Sequence, residues 1–236
     1  MNEAHKEAAT ALVLAAGRGE RMRPLTDVTP KPLLALGGMP LMAWHLRRLA
    51  QAGHRHVVVN TAWLENQVVA QIGPVWTDPH DPILKLAITY SMEGQDFGGA
   101  LETAGGIVRA LPHLAEVFWV VAGDVFMPDF DFAPHWMTQL EASPCLAHVW
   151  LVPNPAHNPG GDFGLSAEGL ALNRPPASAA QSDTPADVAT QNTYTFSTLA
   201  LYKKAFFETD GCSIPPGNPE GLKAPLAPML RAAMDQ

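Results

Sequence analysis

Short unbroken apolar runs recur along the first two thirds of the chain, each followed by a stretch whose apolar residues fall at helical spacing. Residues 11–16, Ala-Leu-Val-Leu-Ala-Ala, make the first run and stop at Gly17. Such a run, bounded by glycine, predicts a strand buried on both faces, as in a parallel sheet. Val57-Val58-Val59 and residues 117–122, Val-Phe-Trp-Val-Val-Ala, repeat the pattern. Residues 84–90 alternate, and residues 146–152 give a further strand. Between the strands the spacing predicts helices. One opens on Pro40 and runs to about Ala52, with Leu41, Trp44, Leu46 and Leu49 on its apolar face and Gly53 closing it. Others cover residues 64–72, 103–111 (Thr103 as N-cap, Pro112 as stop) and 133–141, with Asp131 read as an N-cap before Phe132. Strands alternating with helices at this spacing mean an α/β fold with a mainly parallel sheet.

The second half reads differently. Residues 153–161 and 173–192 are rich in Pro, Asn, Gly, Ser and Ala and predict long loops. Short β candidates lie at 163–172 and 193–202, and a helix over 225–234 follows. A chain of 236 residues suits a single domain, with a first half over 1–152 and a second over 153–236.

Composition narrows the function classes. With 47% apolar and 16% charged residues the chain is an ordinary globular protein. Two cysteines, Cys145 and Cys212, make no disulfide framework, so a reducing compartment is expected. Residues 1–10 are polar, unlike a signal peptide, and the run at 117–122 is far short of the ~20 residues that cross a bilayer. A cytoplasmic protein without a membrane partner is expected. A net charge of −8 argues against a nucleic-acid partner, which would need a broad basic surface. The basic residues Arg18, Arg21, Arg23 and Lys31 are nevertheless gathered in one segment whose only acids are Glu20 and Asp27. That is the local positive charge a small phosphorylated ligand needs.

This segment leaves the first predicted strand, where ligands of open α/β sheets bind. Gly17 and Gly19 remove side chains that would hold the backbone away from phosphate oxygens, so successive N–H groups can form an anion nest. Arg21 and Arg23 offer forked donors and Lys31 a compact ammonium. Met22 stands where a dinucleotide-binding fingerprint requires its third glycine, and no Walker A pattern occurs. A glycine pair alone would be an ordinary turn; three arginines and Pro30-Lys31-Pro32 in the same segment weigh against that reading. Farther on, Gly123-Asp124-Val125 follows the most buried strand. Asp124 there either caps a turn or holds Mg²⁺, which takes one or two carboxylates along with phosphates and water. The small residues of Thr103-Ala104-Gly105-Gly106 at a predicted helix start would favour an anionic or polar ligand. The nine histidines show no ligand constellation; His54 and His56 read as packed or solvated residues.

The segment from Leu14 to Thr26, followed by Thr29-Pro30-Lys31-Pro32, resembles the signature L-A-A-G-x-G-x-R-M-x-P-L-T…P-K-P of the sugar-phosphate nucleotidyltransferases. The resemblance implies a Rossmann-like three-layer sandwich of the nucleotide-diphospho-sugar transferase type, with a mainly parallel mixed sheet. It implies that a nucleoside triphosphate and a sugar 1-phosphate are joined with release of pyrophosphate. Leu14, Ala15, Ala16, Gly17, Arg18, Gly19 and Glu20 would hold the nucleotide, Arg21, Arg23 and Lys31 would act on the reacting phosphates, and Asp124 would bind Mg²⁺. Corresponding family segments line the nucleobase and sugar sites. Glu93, Gly94 and Gly123 become nucleotide candidates, and Glu102 and Thr103 ribose or sugar candidates.

Several stretches are similar to the bacterial N-acetylmuramate-1-phosphate uridylyltransferases of peptidoglycan recycling. These are Asn60-Thr61-Ala62-Trp63-Leu64, residues 101–107, Asn154-Pro155 with Gly161-Asp162-Phe163, Thr195-Phe196-Ser197 and residues 222–226. That likeness implies UTP as donor and N-acetylmuramic acid 1-phosphate as acceptor, with Asn154, Asp162 and Ser197 as sugar contacts. Mannose or glucose 1-phosphate with another nucleotide, and a non-catalytic nucleotide-sugar-binding module, stay open as alternatives. The chain departs from the family in one respect. A second metal aspartate, usually within W-x-D-V-G-T, is not found before Gln236, and Asp235 lacks the surrounding motif. The second half is therefore expected to be incomplete, and residues 173–192 read as an insertion.

Overall fold

The computed structural model describes residues 8–173, 193–209 and 212–235. The expected insertion lies outside them except for Asn173, as does the polar start of the chain through residue 7. The chain runs β1 (Ala9–Ala15), α1 (Leu25–Val28), β2 (Ala35–Leu36), β3 (Met39–Pro40), α2 (Leu41–Gln51), β4 (His56–Thr61), α3 (Glu65–Ile72), β5 (Val75–Thr77), β6 (Lys85–Met92), α4 (Glu93–Phe97) and α5 (Glu102–Ala110). It continues through β7 (Leu114–Ala122), α6 (Pro134–Ala142), β8 (Ala147–Val152), β9 (Phe163–Leu165), β10 (Ala171–Asn173), β11 (Thr193–Lys203) and α7 (Leu226–Met234).

The main sheet has the order β10-β9-β11-β7-β1-β4-β6-β5, with β8 also paired to β11. Its centre is parallel: β1 pairs with β4 on one side and β7 on the other, and β4 pairs with β6. The flanking partners β5 and β11 run antiparallel. This is the expected Rossmann-like, mainly parallel mixed sheet. Both faces are covered, which is why the strands read as continuous apolar runs. Val13, Val59, Trp119 and Val121 face one core together with Met42, Leu46 and Leu49 of α2. Leu12, Val58, Phe118 and Val120 face the other, with Ile107 of α5 and Leu230 of α7. No helix among the described residues is long and apolar enough to cross a membrane.

Four local expectations change. The inner face of α2 carries Met42, Ala43, His45, Leu46 and Leu49, while Leu41 and Trp44 are only half-buried. The β candidate at 163–172 is two short antiparallel strands, β9 and β10. Asp131 caps no helix, because α6 starts at Pro134 after Ala133. Thr103 is not the N-cap of α5, which starts one residue earlier, after Leu101. The first turn of α5 is capped from far along the chain: the Ala224 carbonyl accepts the N–H groups of Ala104 (2.9 Å) and Gly105 (3.2 Å). Asn218, fully buried, donates to the carbonyls of Gly105 and Leu222 and holds that segment in place.

Close packing explains the two glycines of α5. A Cβ on Gly106 would lie 2.6 Å from Glu93 Oε1 and 2.8 Å from Asn60 Nδ2, and one on Gly105 would lie 2.5 Å from the Leu222 carbonyl. Alanine in a helix interior is ordinarily favoured over glycine by ~1 kcal/mol. Here the clash reverses the sign, since overpacking a fixed site costs about 1–3 kcal/mol. Gly106→Ala is expected to lower the unfolding free energy by roughly 2 kcal/mol in urea titrations. Gly99→Ala, whose Cβ would meet nothing within 4 Å, serves as the near-neutral control; equal midpoints for the two variants would contradict the packing argument.

Candidate active site

β1 sits where the chain order of the sheet reverses, with neighbours that leave it in opposite directions, and such a switch point opens a crevice at the carboxyl ends of the strands. A cleft of about 630 Å³ lies there. Leu14, Ala15, Ala16, Gly17 and Gly19 line it from β1 and its loop, and Ala122 and Asp124 from the end of β7. Lys31 reaches across from the far end of the β1 loop, and its Nζ donates to Asp124 Oδ2 at 2.7 Å. The segment between is tied down. Gly19 has a left-handed φ of 68°, and a Cβ there would come within 3.1 Å of the Lys31 side chain. Thr26 donates its hydroxyl to the Gly19 carbonyl (2.9 Å), and the Trp63 indole donates to the Thr26 carbonyl (2.8 Å).

Of the residues singled out in this loop, Arg21 and Arg23 stand outside the cleft wall, as do Arg18 and Glu20. Arg18 lies over the Trp63 ring, 3.8 Å from its centroid, and 3.5 Å from Asp27. Arg23 donates Nε–H to the same Asp27 at 2.8 Å, while Arg21 is exposed. The two pairs on Asp27 are partly exposed, and contacts of that kind are worth about 1 kcal/mol or less.

A second set of residues frames the opposite wall. Asn60 lines the cleft at the end of β4. Its Oδ1 accepts Ala15 N–H at 2.8 Å, and its Nδ2 donates to Glu93 Oε1 at 2.7 Å. The other oxygen of Glu93 accepts Leu101 N–H at 2.8 Å. Glu93 has no exposed surface and does not reach the cleft. The reading of Glu93 as a nucleotide contact is thus replaced by an internal strut, and Gly94 likewise packs against the Ala62 carbonyl and Glu65. Beyond the strut, Glu102 and Thr103 both line the cleft, Glu102 with an unusual left-handed φ of 61°. The anion-binding reading of this helix start does not hold for Ala104 and Gly105, whose N–H groups are already taken by Ala224.

Gly123 also differs from expectation. Its close approach is to β1, with its N–H donating to the Leu14 carbonyl at 2.9 Å and a Cβ position 3.1 Å from that oxygen, rather than to a ligand. The Asp124 turn is braced from behind by buried His45, which donates Nε2–H to the Val125 carbonyl at 2.7 Å. Burial lowers the His45 pKa, with the Val125 bond and the Asp124 charge opposing.

At the other end of the cleft stand Asp162, Phe163, Phe196, Thr198 and Arg231. Asp162 lines the cleft, and its carboxylate accepts Phe196 N–H (2.8 Å) and an Asn158 amide hydrogen (3.1 Å). Asn154 and Ser197 are not in the wall; they bond Thr193 and the Trp150 carbonyl and shape the strand ends. Sequence reasoning missed Thr198 and Arg231. Arg231 carried a usable signal, a lone cation among the apolar residues of a helix.

Residues 11–160 match the family model of the MobA-like NTP transferase domain. The chain belongs to this family. Over 228 residues, 96% of this chain and 85% of the relative, this NTP transferase is 42% identical to N-acetylmuramate alpha-1-phosphate uridylyltransferase of Neisseria meningitidis. A protein of the same name from Caulobacter vibrioides is 31% identical over 172 residues, 68% of this chain and 66% of that one. Among solved structures, a Bacillus anthracis protein described as a glucose-1-phosphate thymidylyltransferase, in complex with sucrose, superposes with a TM-score of 0.64 at 20% identity, over 89% of this chain and 78% of that one. The last likeness concerns the fold alone. The NTP transferase is an enzyme of the sugar-1-phosphate nucleotidyltransferase family, as its first loop implied.

The Glu93 carboxyl generates a pH prediction. Burial raises its pKa, and the bonds from Leu101 and Asn60 oppose this without cancelling it. Folding then favours the protonated form, so its contribution is fully present below the ordinary glutamate pKa and is lost as pH rises through the folded value. The urea stability of the wild type is expected to fall as pH rises above the ordinary glutamate range, more steeply than that of Glu93→Gln. Parallel curves for the two proteins would contradict the assignment.

Proposed function

We propose that the chain transfers a uridylyl group from UTP to N-acetylmuramic acid 1-phosphate, in the cytoplasm, as a step of peptidoglycan recycling. The names of the two relatives support the choice of donor and acceptor. Residues 1–152 supply the nucleotide side of the cleft and residues 153–236 the acceptor side. The observation that carries the reading is the Lys31–Asp124 pair, set across the cleft mouth beside the bare amides of Gly17 and Gly19.

An acceptor phosphate oxygen attacks the α-phosphorus in line; a P–O bond forms to the sugar phosphate, the α–β bridging bond breaks, and pyrophosphate leaves with the electron pair. The acceptor is already ionised, so the protein supplies no nucleophile. Its work is to hold two anions together and to offset charge as the leaving group departs. The backbone of Gly17 and Gly19 receives the phosphates. Lys31 exchanges its carboxylate partner for a phosphate oxygen, so its ammonium keeps an anionic partner in both states. Arg21 and Arg23, exposed outside the cleft wall, add positive charge to the loop that meets the triphosphate.

Asp124 is the residue that would hold Mg²⁺. Among the described residues no three His, Cys, Asp or Glu side chains gather to bind a metal on their own. A lone carboxylate facing a phosphate site still fits Mg²⁺, which completes its octahedron with phosphate oxygens and water. When bound there the ion would neutralise triphosphate charge and orient the leaving group.

Pyrophosphate release across four nucleotides and three sugar 1-phosphates is expected to be fastest with UTP and N-acetylmuramic acid 1-phosphate. Lys31→Ala and Asp124→Asn are each expected to lower kcat/KM by about 10²–10³ with unchanged thermal midpoints. Near-normal turnover in either variant would remove that residue from the mechanism, and preference for another pair would replace the substrates.

A further inference from the structure

Asp124 already carries a cation: the Lys31 ammonium stands 2.7 Å from its Oδ2. Each partner comes from a backbone that is tied down. Lys31 lies between Pro30 and Pro32, whose rings fix their own φ, and it opens a short 3₁₀ turn in which Leu33 N–H donates to the Pro30 carbonyl at 2.9 Å. Pro32 and Leu33 are buried. The lysine stem runs along Gly19, where a Cβ would lie 3.1 Å from Lys31 Cβ and 3.5 Å from Cδ. On the other side, Gly123 N–H donates to the Leu14 carbonyl at 2.9 Å and the Val125 carbonyl is bonded to His45 at 2.7 Å. The residues before and after Asp124 are therefore both fixed. The ammonium can turn about the end of its stem, yet the stem keeps it beside that carboxylate.

We propose that Lys31 is the resident counter-ion of the Asp124 metal site, so that the cleft accepts a divalent cation as a metal–triphosphate complex and turns away the free ion. This rests on the preceding reading of Asp124 and deepens it by naming the form in which the metal enters. One carboxylate is a poor host for Mg²⁺, which needs phosphate oxygens and water to complete its shell. A free divalent cation would also have to displace the ammonium from Oδ2 and then stand beside it. Repulsion between the two grows with the product of their charges, and the fixed stem leaves Lys31 little room to withdraw. A triphosphate removes both obstacles at once. Its oxygens give the ammonium a new anionic partner and supply the ligands that Asp124 cannot. Metal and nucleotide then favour each other's binding, and to the same extent in both directions.

The test measures binding without turnover, in the full chain, with Mn²⁺ as the probe and water proton relaxation as the readout. In the absence of nucleotide, Lys31→Gln is expected to bind Mn²⁺ about ten- to hundredfold more tightly than the wild type. The double variant Lys31→Gln/Asp124→Asn should lose that gain, which places it at the carboxylate rather than in a general change of charge. Thermal midpoints show that each variant is folded. A Lys31→Gln protein that takes up Mn²⁺ no better than the wild type overturns the proposal, and so does a gain that persists in the double variant. A second arm adds α,β-methylene-UTP, a triphosphate that cannot be cleaved at the reacting bond. There the wild type is expected to hold Mn²⁺ and Asp124→Asn to lose it. Equal signals from those two proteins would mean that Asp124 is no metal ligand, and the preceding reading would fail with the proposal. If they differ while Lys31→Gln gains nothing in the first arm, the counter-ion role alone falls.

Discussion

The buried carboxyl of Glu93 is the constraint from which the geometry of the cleft follows. With no exposed surface it must find its partners inside the protein, and it does so in two directions. Asn60 on one oxygen passes the connection to Ala15, the last residue of β1, and Leu101 on the other fixes the residue before α5. One group therefore sets the distance between the loop that starts at Gly17 and the pair Glu102-Thr103 on the facing wall. A fully satisfied buried network of this kind rigidifies what it joins, because any displacement leaves a polar group unpaired in a low dielectric. It also dictates sequence at a remote position: only glycine at 106 lets α5 lie against the strut.

The sheet was legible because its centre is buried on both faces and writes its strands as apolar runs. Residues 11–16, 57–59 and 117–122 announce β1, β4 and β7 for that reason. The short edge strand β5 and the helix α4 carry no such run and were not foreseen. The start of α5 was misplaced because the acceptor of its first N–H groups is the Ala224 carbonyl, a partner distant in sequence. Asp131 failed as a cap for a simpler reason: Pro134 occupies the first position of α6, and Ala133 precedes it.

In the site, residue type and order were readable but direction was not. Glu93 and Gly123 follow strand ends, as ligand-binding residues do, yet both turn toward neighbouring strands and serve the frame. Asp124 and Lys31 were recognisable from their surroundings, and the fold brings them within 2.7 Å. Thr198 follows Thr193, Thr195 and Ser197 on one strand and nothing local set it apart, whereas Arg231 stood out as the lone cation of α7. Only the position of α7 against β10 places the arginine in the cleft wall.

The charges in and around the cleft differ in how they are held. Arg18 and Arg23 share one partly exposed aspartate, and Lys31 rests on a carboxylate that is itself exposed by 36%. The Asp27 contacts are partly exposed and worth about 1 kcal/mol or less, so a polyphosphate exchanges for them readily. Arg231, by contrast, is fixed through Asn173, the Asp162 carbonyl and the Phe163 ring before anything enters. Charges that are loosely held suit a group that arrives as a triphosphate and leaves as pyrophosphate.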